Sequence, residues 1–120
     1  MKYEYSPPKL AKEYEDERKM TKKYGKSISN GMVIFLNIID ASENAYSIKN
    51  KDFLFMEHLK GNLKEYYSIS LDKKKSKWRV LIQMLDDDGN ALIPSNDEKE
   101  FLKSVTKIRI KELSEHYGEY

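Results

Sequence analysis

The stretch YYSISLDKKKSKWRVLIQML, residues 66–85, decides the fold. Residues 66–71 alternate between apolar and polar side chains and are rich in β-forming residues, which is typical of a strand. Residues 78–85 are almost continuously apolar and predict a second strand that is largely buried on one face. The lysine-rich segment DKKKSK joins the two as a hairpin loop. The stretch therefore predicts two neighbouring strands of a small sheet.

Two more strands lie near the ends of the chain. KYEY, residues 2–5, carries aromatic side chains at alternating positions and predicts a short first strand. KSVTKIRIKEL, residues 103–113, alternates between basic and apolar side chains and predicts a last strand with two different faces. The sheet is therefore expected to be built from both ends of the chain.

Two helices are predicted between the first strand and the hairpin. The first covers residues 9–23, because Ser6 and two prolines form a helix start signal and Gly25 a C-cap. The second covers residues 27–45, whose apolar side chains repeat at helical spacing, although Gly31 weakens its first turn. The predicted fold is α+β, in the order β-α-α-β-β-β. A helical hairpin would pack on one face of a mainly antiparallel sheet and leave the other face open.

Composition restricts the classes of protein. At 120 residues the chain is expected to be one domain spanning residues 1–120. It has no cysteine, which excludes disulfides and thiolate zinc sites. No secretory signal and no apolar run long enough to span a bilayer are visible, so no membrane partner is expected and the cytoplasm is the default compartment.

Charge is distributed unevenly along the chain. Residues 51–80 carry eight Lys or Arg against four Asp or Glu, whereas residues 81–100 carry one against six. The acidic part falls in a predicted insertion at about residues 86–102, which is also rich in turn-forming residues. A basic block of this kind indicates a polyanionic partner.

Three short motifs in order resemble the RelE/ParE toxin superfamily and, within it, the HigB-like killer proteins. These are Leu-Lys-Gly-Asn at residues 59–62, Tyr-Ser-Ile at 67–69 and Trp-Arg-Val at 78–80. The closing strand that runs into a His- and Tyr-containing tail is also similar to the family. The resemblance implies a RelE-like fold and a toxin of a type II toxin–antitoxin system, with the cognate antitoxin, a helix-turn-helix DNA-binding protein, as its partner. It further implies a metal-independent, cofactor-free mRNA endonuclease that acts on the ribosome.

Cleavage of RNA without a metal needs a cation on the phosphate and groups that transfer protons. Arg79 is the candidate for the phosphate, because a guanidinium can bind two phosphate oxygens at once and because it matches the characteristic arginine of the family. The alternative is a structural arginine paired with Glu112 or Glu115. Lys60 lies in a glycine turn from which an ammonium can reach the RNA backbone; an ordinary solvated lysine is the alternative.

The tail supplies the candidates for proton transfer. His116 is the obvious acid or base, with Glu115 or Tyr117 in support, because imidazole titrates near neutral pH. The family pattern here resembles Asp-Tyr-His, whereas this chain has Glu115-His116-Tyr117. Which of the three side chains faces the RNA is therefore left open by the sequence.

Further candidates for RNA binding lie in and near the basic block. Lys73, Lys74, Lys75 and Lys77 form a cluster that is either a solvated loop or a contact to ribosomal RNA. Trp78 and the two tyrosines at residues 66–67 are expected in sheet packing, unless one of these aromatic side chains is exposed and stacks on a base. His58 precedes the glycine turn and is either an RNA contact or a loop histidine with no role.

Two other functions remain possible on sequence grounds. A ParE-like protein would inhibit a topoisomerase without cutting RNA, but it would not need a titratable tail beside a cationic strand. A degenerate relative would retain only antitoxin binding. The endonuclease is the reading that Arg79 and the tail favour.

Overall fold

We describe residues 1–115 of the protein from a computed structural model. This part of the chain contains five strands and five helices. The strands are β1 (Lys2–Tyr5), β2 (Glu57–His58), β3 (Tyr66–Ile69), β4 (Arg79–Leu85) and β5 (Lys107–Ser114). The helices are α1 (Leu10–Tyr14), α2 (Glu17–Tyr24), α3 (Lys26–Ala41), α4 (Ala45–Lys49) and α5 (Glu98–Ser104). Two short 3₁₀ turns, Asp52–Leu54 and Gly61–Leu63, flank β2.

The strands form one sheet in the order β1-β5-β4-β3-β2. β1 runs parallel to β5, and the other three pairs are antiparallel. The first and last strands of the described chain are therefore neighbours, and β1 forms one edge of the sheet beside β5. The α+β class and the mainly antiparallel sheet that the sequence predicts are confirmed.

The hydrophobic core lies between the helices and one face of the sheet. Val80, Ile82 and Met84 of β4 are fully buried there against Phe35 and Ile39 of α3. This arrangement confirms the predicted packing of helices on one face.

Gly31 of α3 has a packing role that is not apparent from the low helix propensity of glycine. A Cβ on Gly31 would overlap the backbone carbonyl of Leu71, so only glycine lets α3 approach the chain that follows β3 this closely.

The first predicted helix is divided in the structure. Asp16 has an extended backbone, and its carboxylate accepts hydrogen bonds from the amides of Arg18 and Lys19. This is an N-cap, and it starts α2 as a new helix after α1 has ended. The sequence prediction of one helix over residues 9–23 was wrong at this point, because the charge pattern continues across the break.

The second predicted helix ends earlier than expected. α3 stops at Ala41, and the side chain of Asn44 accepts hydrogen bonds from the amides of Tyr46 and Ser47. This N-cap starts the short helix α4. The helical pattern that the sequence shows up to residue 45 therefore covers the end of one helix and the start of another.

The predicted insertion contains a helix that the sequence analysis missed. Asp97 caps α5 by accepting from the amide of Glu100, and α5 runs to Ser104. The last strand therefore begins at Lys107 and not at residue 103. Acidic residues near the start of α5 stabilise the helix through its dipole. In the sequence, the same acidic residues indicated a polar loop.

Candidate functional site

The sheet face that points away from the helices holds the predicted phosphate contact. We call it the distal face and define it by Arg79, Leu81 and Gln83 of β4, which alternate with the core residues of that strand. Leu81 and Gln83 are buried: Leu81 lies among Leu63, Tyr66 and side chains of β5, and the side chain of Gln83 donates to Glu65 and accepts from Arg109. The face predicted to be open is thus partly covered at its centre, while Arg79 is half-buried at its end.

The guanidinium of Arg79 is held by neutral groups. Its Nη1 donates to the carbonyl oxygen of Ser76 at 2.8 Å and to that of Trp78 at 2.7 Å. Both bonds go to backbone carbonyls and not to a carboxylate, so they orient the guanidinium without an opposite charge. A positively charged group held in this way suits an anionic ligand.

The end of β5 lies beside Arg79. The Cα of Ser114 is paired with that of Arg79, and a register shift in the pairing of β4 with β5 lies between Val80 and Ile82. Such a shift places one extra residue of β5 against β4 and re-aims the strand end. The chain therefore leaves the sheet next to Arg79. Exposed Glu115 follows, and the predicted His116 and Tyr117 lie outside the described residues.

A cavity of about 260 Å³ lies on the same face. Tyr66 and Leu63 line one side of it, Leu81 its floor, and Lys111 and Glu112 the other side. The half-buried ring of Tyr66 offers an aromatic surface beside a cationic and an acidic side chain, a combination that can hold a nucleobase. The sequence analysis did not select Lys111, and it left open whether Tyr66 would be exposed. Their positions depend on strand parity and on the register shift.

A family comparison agrees with this geometry. The family model described as the RelE-like toxin of the type II toxin–antitoxin system HigB matches residues 4–93, three quarters of the chain. The protein belongs to the HigB-like toxin family. The resemblance noted from the sequence is thereby confirmed, and membership implies an antitoxin partner. Searches of curated proteins and of solved structures found no match.

The second arginine of the distal face of this HigB-like toxin is neutralised. Arg109 contacts Glu4 at 3.4 Å, Gln83 at 3.3 Å and the carbonyl of Gly89 at 2.7 Å. Glu4 also pairs with Lys107 at 3.2 Å, and the hydrogen bonds from Lys107 and Arg109 lower the pKa of Glu4. Arg109 therefore anchors β1 and the turn after β4, in contrast to Arg79.

His58 is the last residue of β2, and Lys60 lies in the chain between β2 and β3. Lys60 is exposed immediately before the Gly61–Leu63 turn. His58 points to the helix side, where its ring lies 5.0 Å from that of Tyr67 and its Nε2 is 2.7 Å from the carbonyl oxygen of Lys64. The structure does not bring His58 together with Arg79.

The lysine loop of the toxin joins β3 to β4. All four predicted lysines are exposed, and they are Lys73, Lys74, Lys75 and Lys77. Lys73 and Lys74 adopt positive φ values of 57° and 63°, and the ammonium of Lys74 lies 4.8 Å from the ring centre of Phe55. The loop thus presents a concentrated positive charge close to an exposed aromatic ring.

Trp78 follows that loop and faces the helices. Its ring packs edge-on against that of Tyr24 at 5.0 Å. The side chain is partly buried against the hydrophobic core. Trp78 therefore lies on the opposite side of the sheet from the guanidinium of Arg79.

Within residues 1–115, none of the helices is both long and apolar enough to cross a bilayer.

Proposed function

We propose that this HigB-like toxin is a metal-independent, ribosome-dependent mRNA endonuclease that arrests translation in the cytoplasm. One observation carries the proposal: Arg79, held by carbonyl groups, is paired with Ser114, the last residue of β5, which precedes the titratable His116 by two positions in the sequence. A fixed cation next to groups that can transfer protons is what cleavage of a phosphodiester requires.

The reaction is a transfer within the RNA itself. The 2′-oxygen forms a bond to the adjacent phosphorus, and the bond from that phosphorus to the 5′-oxygen breaks. A base takes the proton of the 2′-hydroxyl, and an acid returns a proton to the leaving 5′-oxygen. The products are a 2′,3′-cyclic phosphate and a free 5′-hydroxyl, so no external oxidant, reductant or metal enters the balance.

We assign the roles to four parts of the chain, namely Arg79, the glycine turn, the residues that follow β5, and Tyr66. Arg79 binds the non-bridging oxygens of the scissile phosphate and stabilises the charge that develops on them. Lys60 contacts the RNA backbone from the glycine turn. His116 transfers a proton, with Glu115 or Tyr117 as the second group or as its support. Tyr66 receives a neighbouring base.

The lysine loop supports docking to the ribosome. Lys73, Lys74, Lys75 and Lys77 can replace counterions on ribosomal RNA, and their contribution to binding should fall steeply with salt. His58 and Trp78 lie on the helix side, so contacts of these two side chains to RNA would involve a second surface of the toxin, away from Arg79.

Expression of single variants tests the proposal. Arg79→Ala and His116→Ala should relieve growth arrest and remove the cleavage sites that primer extension detects on translated mRNA. Arg18→Ala, on the exposed side of α2, is the matched control and should arrest growth like the wild type. Retention of antitoxin binding shows that the variants are folded.

Three results would contradict the assignment in different ways. Full toxicity of both variants would mean that these residues do not carry the activity. Growth arrest without mRNA cleavage, but with inhibition of a topoisomerase, would indicate the ParE-like alternative. Absence of toxicity in the wild type with intact antitoxin binding would indicate a degenerate relative.

A further inference from the structure

The outer side of α3 carries apolar side chains that no other element of the described chain covers completely. Ile34, Ile38 and Ala41 are spaced so that they form one stripe along the helix. Ile34 is 49% exposed, and Ala41 is exposed next to it, while the opposite side of α3 is buried in the core. An exposed large apolar side chain within such a stripe is typical of a surface that meets a partner.

This stripe forms one wall of a groove. The groove has a volume of about 480 Å³, enough for several aliphatic side chains. Its opposite wall comes from Ser47 of α4 and from Lys51. The surface is therefore concave and apolar along α3, with polar groups at its edge, which is the shape that accepts an amphipathic helix.

An acidic pocket lies on the other flank of α3. Its volume is about 270 Å³, and Glu15, Glu17 and Asp40 supply three carboxylates. Asn37 lines both this pocket and the apolar groove, so the two adjoin on the exposed side of α3. We call the combined surface the α3 surface. The negative charge of the three carboxylates in the pocket repels RNA and attracts a basic side chain.

A buried hydroxyl next to the pocket makes no well-formed hydrogen bond with residues 1–115, although Glu15 and Tyr3 lie close enough to affect its pKa. It belongs to Tyr5, which is only 8% exposed and whose ring lies 5.7 Å from that of Tyr3 and 6.0 Å from that of Tyr14. Both of these rings line the pocket. The Glu15 carboxylate, also in the lining, adds to burial in raising the pKa of Tyr5. An ammonium or guanidinium that enters the pocket can pair with the carboxylates that line it.

We propose that the α3 surface binds an amphipathic helix of the antitoxin, with apolar side chains in the groove and a Lys or Arg in the acidic pocket. Charge complementarity selects this occupant over RNA, and family membership supplies the antitoxin. The proposal deepens the toxin part of the proposed function and does not depend on RNA cleavage. Since α3 packs on the face opposite to Arg79, the bound helix leaves the distal face uncovered.

Co-expression of the full chain with the tagged antitoxin encoded in the neighbouring reading frame tests the proposal. Ile34→Asp places a charge in the groove, and Asp40→Lys reverses the charge of the pocket. Each should lower the amount of toxin retained on the antitoxin after a dilution wash by about tenfold or more. Each variant should also arrest growth despite the antitoxin, which shows that it is folded and active.

Matched changes elsewhere serve as controls. Ile93→Asp and Asp88→Lys alter an equally exposed isoleucine and an exposed aspartate in the acidic insertion. Both should bind and be neutralised like the wild type. Loss of binding in these two, with wild-type binding in the α3 variants, would overturn the proposal in favour of the insertion.

Self-association is the other rival occupant. A dimer of free toxin that Ile34→Asp dissociates, with unchanged antitoxin retention, would assign the α3 surface to a second copy and overturn the proposal. If the wild type is not toxic, retention on the antitoxin alone decides, so failure of the proposed function and failure of this proposal remain distinguishable.

Discussion

The hydroxyl of Tyr14 accepts a hydrogen bond from the backbone amide of Leu113 at 2.7 Å, which ties α1 to the end of β5. The bond is buried and joins residues 99 positions apart in the chain. It lies one residue before Ser114, the partner of Arg79 in the sheet. The helical layer therefore helps to fix the end of β5 beside Arg79.

Tyr14→Phe removes this bond and keeps the ring. The amide of Leu113 is then buried without a partner, and we expect the free energy of unfolding to fall by about 1–3 kcal/mol. Denaturant unfolding followed by circular dichroism measures the loss. Tyr46→Phe is the control, because its ring contacts Lys99 and Lys103 through the π face and should be almost neutral. Equal stability of both variants would show that the Tyr14 bond contributes nothing.

Gly31→Ala tests the close approach of α3 to Leu71. The new methyl group would overlap the Leu71 carbonyl, so helix and backbone must move apart. We expect a loss of roughly 2–4 kcal/mol or failure to fold, although alanine is the better helix former by about 1 kcal/mol. Asn30→Ala, at the exposed neighbouring position of α3, should be neutral or stabilising. A Gly31→Ala variant as stable as Asn30→Ala would contradict the packing role.

Tyr66 should affect RNA cleavage through its ring and not through its hydroxyl. Tyr66→Phe should cut mRNA like the wild type, whereas Tyr66→Ala should lose stacking worth about 1–3 kcal/mol, or roughly 5- to 150-fold in rate. Primer extension at limiting toxin measures the change, and Tyr46→Ala in the helical layer is the control. Cleavage at the wild-type rate by Tyr66→Ala would contradict the proposal that a base binds in this cavity.

The buried tyrosines predict a loss of stability in alkali. Burial raises the pKa of Tyr5, Tyr14 and Tyr67, and the carboxylate of Glu98 adds to the effect on Tyr67. Each folded-state pKa lies above the unfolded value of about 10, so their contribution is fully present below that pH. It is lost as pH rises from there towards the folded pKa, because the unfolded chain releases these protons first.

Phenolate absorbance and circular dichroism, recorded together during a titration with base, test this expectation. The buried tyrosines should ionise only as the fold is lost. Tyr67→Phe should make the loss of stability less steep with pH, because one fewer proton is released on unfolding. Ionisation of every tyrosine near pH 10 with an unchanged circular dichroism spectrum would contradict the prediction.

Local pattern was sufficient for most of the architecture. The alternation in residues 66–71 and the apolar run in residues 78–85 predicted β3 and β4 because a strand exposes its two faces with a period of two. The three motifs around Lys60, Tyr67 and Arg79 were sufficient for the family. In each case the signal lies within a few neighbouring residues, where periodicity and turn chemistry act.

The helix breaks were predicted less well. Asp16 and Asn44 each start a new helix by capping it, yet both lie within patterns that read as continuous helix. Capping depends on the backbone angle of a single residue, which composition does not fix. The same reason explains why α5 was missed behind Asp97.

By itself, the sequence determined four of the five described strands, the helical layer, the family and Arg79 as the candidate phosphate contact, and it missed the short strand β2. Only the tertiary structure decided that Arg79 is oriented by carbonyls while Arg109 is neutralised by Glu4. It also decided that Tyr66 faces away from the helices while Tyr67 is buried. The physical reason is that strand register and ion pairing join residues far apart in the chain, and those contacts form only when the strands have paired with one another.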